Sequence, residues 1–172
     1  LGFAPDRWDA LIQELAGQGY DKRDLLDAGL AVNNKDGRIY DRFRNRVMFP
    51  IIDIRGKVIA FGGRVMDDST PKYLNSSDTP IFNKSRNLFA MNFAKKTKRN
   101  YFLLAEGYMD VIALHQAGFD CAVASLGTSL TEEQARLMAA RGKEEVVICY
   151  DSDEAGKKAA QRAIDILGRS GL

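Results

Sequence analysis

Two apolar runs that stop at carboxylates constrain this chain more than any other feature. Residues 101–110 read YFLLAEGYMD, and residues 145–156 read EVVICYDSDEAG. Buried parallel strands read as continuous apolar runs rather than as alternation. In open α/β sheets, ligands gather beyond the carboxyl ends of such strands. Glu106 and Asp151 therefore fall where chemistry is expected, with Asp110 one helical turn past the first and Asp153 two residues past the second. Four acids meeting at one sheet edge repel: two like charges about 4 Å apart cost on the order of 4 kcal/mol at an effective dielectric near 20. A divalent cation removes that cost, and hard oxygen ligands suit Mg²⁺ or Mn²⁺.

The pattern around these runs is βαβαβα. Strands are expected at 101–106, 121–125 and 145–150, and helices at 108–117, 130–141 and 154–167, with Thr131 as a candidate cap. That alternation predicts a parallel sheet with crossover helices. Ahead of it, Trp8, Leu11, Ile12 and Leu15 recur at helical spacing. They predict a helix over 5–16 with Pro5 at its first position. A short helix follows at 21–28. RVMFPIIDI and KVIAFGGRV flank Arg55-Gly56 and predict a hairpin, with Pro50 demanding an edge strand or a bulge. Residues 67–87 read as an ordered functional loop, and KKTKRN at 95–100 as a surface linker. The fold class is α/β: an α+β subdomain over 1–99, then a parallel-sheet subdomain over 100–172 that ends on a helix.

Composition is that of an ordinary soluble domain, 45% hydrophobic and 28% charged. No apolar run approaches the roughly 20 residues of a membrane helix. Cys121 and Cys149 both lie in strand-like runs, so two buried thiols are expected, without a disulfide or zinc site. A reducing cytoplasm fits that usage. The single His115 lies mid-helix and reads as structural. The chain opens at Leu1 without Met, which reads as a piece excised from a longer polypeptide. Charge is uneven: −3 over residues 1–34, +9 over 35–99 and −4 over 100–172. A basic middle beside an acidic end suits a polyanion held by one part and a metal by the other.

Taken singly, the motifs stay open. A lone acid at a helix start is welcomed by the helix dipole. Gly107 after Glu106 suggests a tight turn beside a ligand. DSDEAG begins like a calcium loop, but Ala155 and Arg162 occupy two of its ligand positions. It also resembles the strand-end D-x-D of haloacid-dehalogenase phosphatases, without their small residues after the second Asp. Strand–Glu-Gly followed about 45 residues later by strand–D-x-D resembles the Toprim domain. RFRNRVMFPI (42–51), PKYLNSSDTPIFNKS (71–85), LAEGYMDVIAL (104–114) and AVASLGTSLT (122–131) look like the bacterial DNA primases of the DnaG type. The resemblance runs nearly end to end.

What it implies is a DNA-directed RNA polymerase that makes short primers on single-stranded DNA from ribonucleoside triphosphates, by metal-dependent nucleotidyl transfer in the cytoplasm. Glu106, Asp151 and Asp153 would ligate Mg²⁺ or Mn²⁺, with Asp110 close by as a fourth catalytic acid. The family's basic ridge maps onto Arg42, Arg44, Arg46, Lys72 and Lys84, with Tyr73 beside it. Arg42, Arg44 and Arg46 share parity, so on a strand they share a face. Ser125, Gly127 and Thr128 form a loop whose N–H groups could hold a phosphate. The family's zinc module, helicase-binding module and a further acidic motif would lie outside residues 1–172, so this stretch alone is expected to prime poorly. A non-catalytic nucleic-acid-binding Toprim module, or a D-x-D phosphatase-like enzyme, is the alternative.

Overall fold

The computed structural model describes every residue except Thr128. Contacts divide the chain into two compact units, Leu1–Ile51 with Val58–Asn83, and Ile52–Lys57 with Lys84–Leu172. This division of contacts falls at 83/84, whereas the sequence pattern changes near 99/100.

The first unit carries a four-stranded sheet in the order β1-β4-β5-β6, from β1 (Gly2–Ala4), β4 (Arg46–Ile52), β5 (Val58–Arg64) and β6 (Tyr73–Asn75). A two-stranded ribbon of β2 (Ala31–Asn33) and β3 (Ile39–Asp41) stands beside α1 (Ala10–Gly17) and α2 (Lys22–Asp27). Ile12, Leu25 and Ala31 form their shared core, with Leu15, Leu26 and Ile39 packed against it. The hairpin is where the sequence places it: Asp53 Oδ1 accepts N–H bonds from Arg55 and Lys57 in the turn. Pro50 lies in β4, which has neighbours on both sides, but β1 reaches only as far as Met48. At Pro50 the β1 flank has no partner, so the missing N–H breaks no ladder there.

Three expectations are corrected here. Helix α1 starts at Ala10, not at residue 5, and Trp8 lies outside it, 65% exposed. The cause is Asp41, whose buried carboxylate accepts the N–H groups of Leu11 (2.7 Å) and Ile12 (3.0 Å) and so fixes the first turn from 29–30 residues away. Arg42, Arg44 and Arg46 do not share a strand face: β3 ends at Asp41, β4 begins at Arg46, and Asn45 between them is left-handed (φ 48). The segment 95–100, expected as a surface linker between two parts, lies within the second unit. Thr97 is buried, its hydroxyl donates to Asp120 (2.6 Å), and Lys143 Nζ bonds the carbonyls of Thr97 and Arg99. Within the loop expected at 67–87 lie β6 and a 3-10 turn, Lys84–Arg86.

The second unit is the expected parallel sheet, in the order β8-β7-β9. It follows α3 (Met91–Ala94) and is built as β7 (Tyr101–Ala105), α4 (Tyr108–Gln116), β8 (Ala122–Ala124), α5 (Glu132–Ala139), β9 (Glu145–Cys149) and α6 (Glu154–Arg169). Successive strand residues face opposite sides. Phe102, Leu104 and Val123 pack with Ala135 and Met138 of α5 and Ala163 and Leu167 of α6. Leu103, Ala105, Ala122 and Ala124 pack with Val111 of α4. Phe102 and Leu104 are wholly buried, each contributing roughly 1.5–3 kcal/mol. On the α4 side β9 is open: Val147 is 44% exposed, and Cys149 is exposed rather than buried as its apolar run implied. Cys121 is buried, and burial raises its thiol pKa. His115 bonds the Ala122 carbonyl (2.9 Å), a structural role.

Candidate active site

The register of the sheet sets the site. Ala105 of β7 pairs with Ala124 of β8 and with Cys149 of β9, so all three strands end level. Glu106, Ser125 and Tyr150 therefore leave the sheet side by side. Glu106 Oε2 accepts the N–H of Asp151 at 3.1 Å, which ties the ends of β7 and β9 together. Both carboxylates are exposed.

The other two acids are used locally. Asp110 Oδ2 accepts the Gly107 N–H (3.1 Å) across the first turn of α4. Asp153 caps α6, its Oδ1 accepting the Gly156 N–H at 2.7 Å. A short polar side chain near a free N–H takes that bond, as at any helix start. The sheet edge thus joins Glu106 to the backbone of Asp151, while Asp110 and Asp153 each commit one oxygen to a helix start. Among the described residues no group of three or more His, Cys, Asp or Glu is arranged to hold a metal ion. Two exposed carboxylates still fit Mg²⁺ or Mn²⁺, because Mg²⁺ is usually held by one or two carboxylates plus waters and substrate phosphates.

Gly156 is the residue that sequence reading missed. A Cβ there would lie 2.1 Å from the Asp151 carbonyl oxygen. The first turn of α6 closes directly on the backbone of a site acid, and only hydrogen fits between them. The signal was its place at the end of DSDEAG. Gly107 is the reverse case. Its backbone is extended (φ −139), and a Cβ would meet only Asp110 Oδ2 at 3.5 Å, so the turn does not require glycine.

Glu106, Ser125, Gly127, Ser129, Tyr150 and Ala159 line an open cleft of about 280 Å³. Thr128, expected in this phosphate loop, lies outside the described residues. Burial, and then the charge of Glu106, pushes the Tyr150 phenol up to about 12. It therefore stays protonated near neutral pH as a hydrogen-bond donor at the cleft.

The basic residues divide by role. Arg42 is half-buried and gives Nε and Nη2 to the Asn75 carbonyl (3.2 and 2.7 Å); burial lowers its pKa. Arg46 is buried, with Nη1 3.4 Å from the Lys72 carbonyl. Arg44 bonds the Asp41 carbonyl, and its guanidinium lies 4.1 Å from the centre of the Trp8 ring. Tyr40 meets Trp8 edge-on at 5.3 Å. A second exposed pair forms on β5 and β6, where Arg64 Nε donates to Tyr73 Oη (3.1 Å). Lys72 is exposed, and Lys84 opens the 3-10 turn of the second unit. Trp8, Tyr40 and Arg64 were missed as companions of these cations. Their signal, aromatic and basic residues scattered over separate strands, has no sequence period.

Residues 1–95 match the family described as DNA primase catalytic core, N-terminal domain, and residues 103–172 match the Toprim-like family. The chain belongs to the DNA primase catalytic-core family. A DNA primase of Clostridium acetobutylicum is 52% identical over all of this chain, and one of Escherichia coli is 50% identical over 96% of it. The chain spans 29% of the length of either relative. The E. coli primase catalytic core superposes with a TM-score of 0.86 at 50% identity, covering 96% of this chain and 53% of that core. A DnaG primase catalytic domain solved bound to single-stranded DNA matches with a TM-score of 0.86 at 49% identity, covering 96% of this chain and 52% of that one. The Toprim-like family uses divalent metal in general. Among the described residues no helix is long and apolar enough to cross a membrane.

Proposed function

We propose that this chain is the catalytic part of a DNA primase. It would join ribonucleotides into a short RNA primer on a single-stranded DNA template, in the cytoplasm, with a replicative helicase as partner through residues outside this chain. The hydrogen bond joining Glu106 to Asp151 across the level ends of β7 and β9 carries the reading. It ties the backbone of Asp151 to the carboxylate of Glu106, which lines the cleft, in a chain of the primase family.

Glu106 and Asp151 would hold Mg²⁺ or Mn²⁺, with Asp153 adding an oxygen ligand by family resemblance. The metal, when bound, supplies neutralisation of triphosphate charge and a lower pKa for the attacking hydroxyl. Asp110 fixes the start of α4 and with it the Glu106-Gly107 turn. Tyr150, protonated, offers a donor to a phosphate oxygen in the cleft, as do the hydroxyls of Ser125 and Ser129. Lys84 and Lys72 supply cations for triphosphate and nucleic-acid phosphate. Arg44 on Trp8, and Arg64 with Tyr73, offer charge beside an aromatic face, the combination that single-strand binders use. Arg42 and Arg46 act by bracing the backbone that carries these groups. No nucleophilic side chain is required, since phosphoryl-type transfer rests on positioning and charge stabilisation.

The test is template-dependent ribonucleotide incorporation by the full-length protein. Glu106→Gln and Asp151→Asn should each lower primer yield by about 100-fold or more. Primer synthesis at the unsubstituted rate in both variants rules out this site. Release of phosphate without RNA would instead place the acids in a phosphatase-like enzyme.

A further inference from the structure

Among the described residues, Gln134 is the most completely buried polar side chain in the second unit, with no exposed surface, and it lies outside the acid cluster. Together with Thr131 it forms the capping box of α5: Gln134 N–H donates to Thr131 Oγ1 (3.2 Å), and Thr131 N–H donates to Gln134 Oε1 (3.1 Å). A capping box is normally self-contained. Here both side chains also reach out of the helix. Gln134 Nε2 donates to the carbonyls of Lys84 (2.9 Å) and Asn87 (2.8 Å), which uses both of its N–H groups. Thr131 Oγ1 donates to the carbonyl of Ser85 at 2.6 Å. The carbonyls of Lys84, Ser85 and Asn87 are thus gripped by one helix start.

Lys84–Arg86 is a three-residue 3-10 turn, and such single turns have poor internal hydrogen-bond geometry. The three outside bonds add to what holds its backbone in place. The loop that leads into α5 contributes Ser125, Gly127 and Ser129 to the cleft beside Glu106. The helix start that follows this loop in the chain also bonds the backbone of Lys84. Moreover, the contact boundary falls between Asn83 and Lys84, so Lys84 belongs to the unit that carries the acids.

We infer that Gln134 and Thr131 are positioning residues that set the place of the Lys84 ammonium relative to the Glu106 cleft, and so tune contact with the phosphates of an incoming nucleoside triphosphate. This rests on the reading of Lys84 as a phosphate contact. A lysine is a point charge on a flexible four-carbon stem. Where its backbone is anchored decides which volume the charge can sweep, so a shift of about 1 Å is felt at the phosphate.

The experiment is a double-mutant cycle on the full-length protein, reading KM for ribonucleoside triphosphate and kcat separately in template-dependent primer synthesis. The proteins are the unsubstituted enzyme, Lys84→Ala, Gln134→Met and the pair. Gln134→Met keeps the length and loses the amide. It should raise KM about tenfold with a smaller change in kcat, and it should add nothing further when combined with Lys84→Ala. If Gln134→Met does not fold, Thr131→Val is read in the same cycle, because it removes only the Ser85 bond and the Thr131 half of the box. A KM rise of equal size whether Lys84 is present or replaced makes the clamp a fold element only and overturns the proposal. Lys84→Ala without any effect on KM overturns instead the reading of Lys84 on which it rests.

Discussion

A single hydrogen atom at position 156 decides how the acid site is built. Helix α6 begins immediately after Asp153, and its first turn passes so close to Asp151 that an added Cβ would sit 2.1 Å from the carbonyl oxygen and 2.8 Å from the carbonyl carbon. Backbone cannot yield as a flexible side chain can, so Gly156→Ala must displace either the helix start or Asp151. Overpacking of this kind costs about 1–3 kcal/mol. Gly156→Ala should lower the thermal midpoint and also lower primer synthesis, while Gly107→Ala, at an extended position with room, should change stability by less than about 1 kcal/mol. Equal melting of Gly156→Ala and the unsubstituted chain would contradict the close approach. Tyr150 offers a second reading of the same site. Its phenol is pushed up to about 12, first by burial and then by Glu106. The folded chain thus keeps the proton after an unfolded tyrosine, with a pKa near 10, has lost it. The unfolded state then binds fewer protons, so this contribution to stability is full below about pH 10 and declines as pH rises towards about 12. Glu106→Gln should move the Tyr150 titration downward, towards the value set by burial alone. An unmoved phenolate absorbance curve would separate Tyr150 from Glu106.

Among the elements, α1 explains what the sequence could not reveal. Trp8, Leu11, Ile12 and Leu15 have helical spacing, but spacing does not say where a helix starts. The capping group is Asp41, which lies one further helix and two strands along the chain, at the end of β3. Trp8 is left outside, under Arg44. By contrast, α2 and α5 carry their caps locally, at Asp21 and Thr131, and both boundaries were legible to within two residues. The parallel strands were legible for a related reason: continuous apolar runs ending at Glu106 and Asp151 encode burial directly. What stayed hidden was each place where a distant partner or a special dihedral intervenes. Asn45 turns the three arginines apart, Gln134 reaches back to Lys84, and β9 lacks cover on the α4 side, which leaves Cys149 exposed. The Asp41 cap is testable on stability. Asp41→Ala leaves two N–H groups of α1 without their acceptor, one of them buried, and should cost about 2 kcal/mol or more in urea unfolding. A cost of only a few tenths would mean that α1 starts without it.

For the molecule as a whole, the question is which part of the +9 charge over residues 35–99 meets nucleic acid and which part serves the fold. Arg42 and Arg46 are committed to the carbonyls of Asn75 and Lys72 and are largely shielded from water. Lys72 is exposed, and Arg44 and Arg64 lie over aromatic rings. Single-strand binding releases counterions, so each phosphate neutralised contributes a slope of roughly −0.7 in log K against log salt. Replacement of a contacting cation flattens that slope, whereas replacement of a bracing arginine lowers the melting temperature and changes affinity only as the fold weakens. Lys72→Ala should therefore reduce the slope by about 0.7 with little loss of stability. Arg44→Ala should reduce it similarly and weaken binding further, because base–aromatic stacking contributes about 1–3 kcal/mol per base and Trp8 would lose the guanidinium that holds it. Arg42→Ala should leave the slope nearly unchanged while the melting temperature falls, since Asn75 O would lose a two-point donor in a half-buried site. Filter binding of an oligonucleotide across a salt series, alongside thermal melts, separates the two groups. If Arg42→Ala flattens the slope as much as Lys72→Ala while the chain stays equally stable, then the half-buried arginine is itself a phosphate contact, and the division of the basic residues into contacting and bracing groups fails.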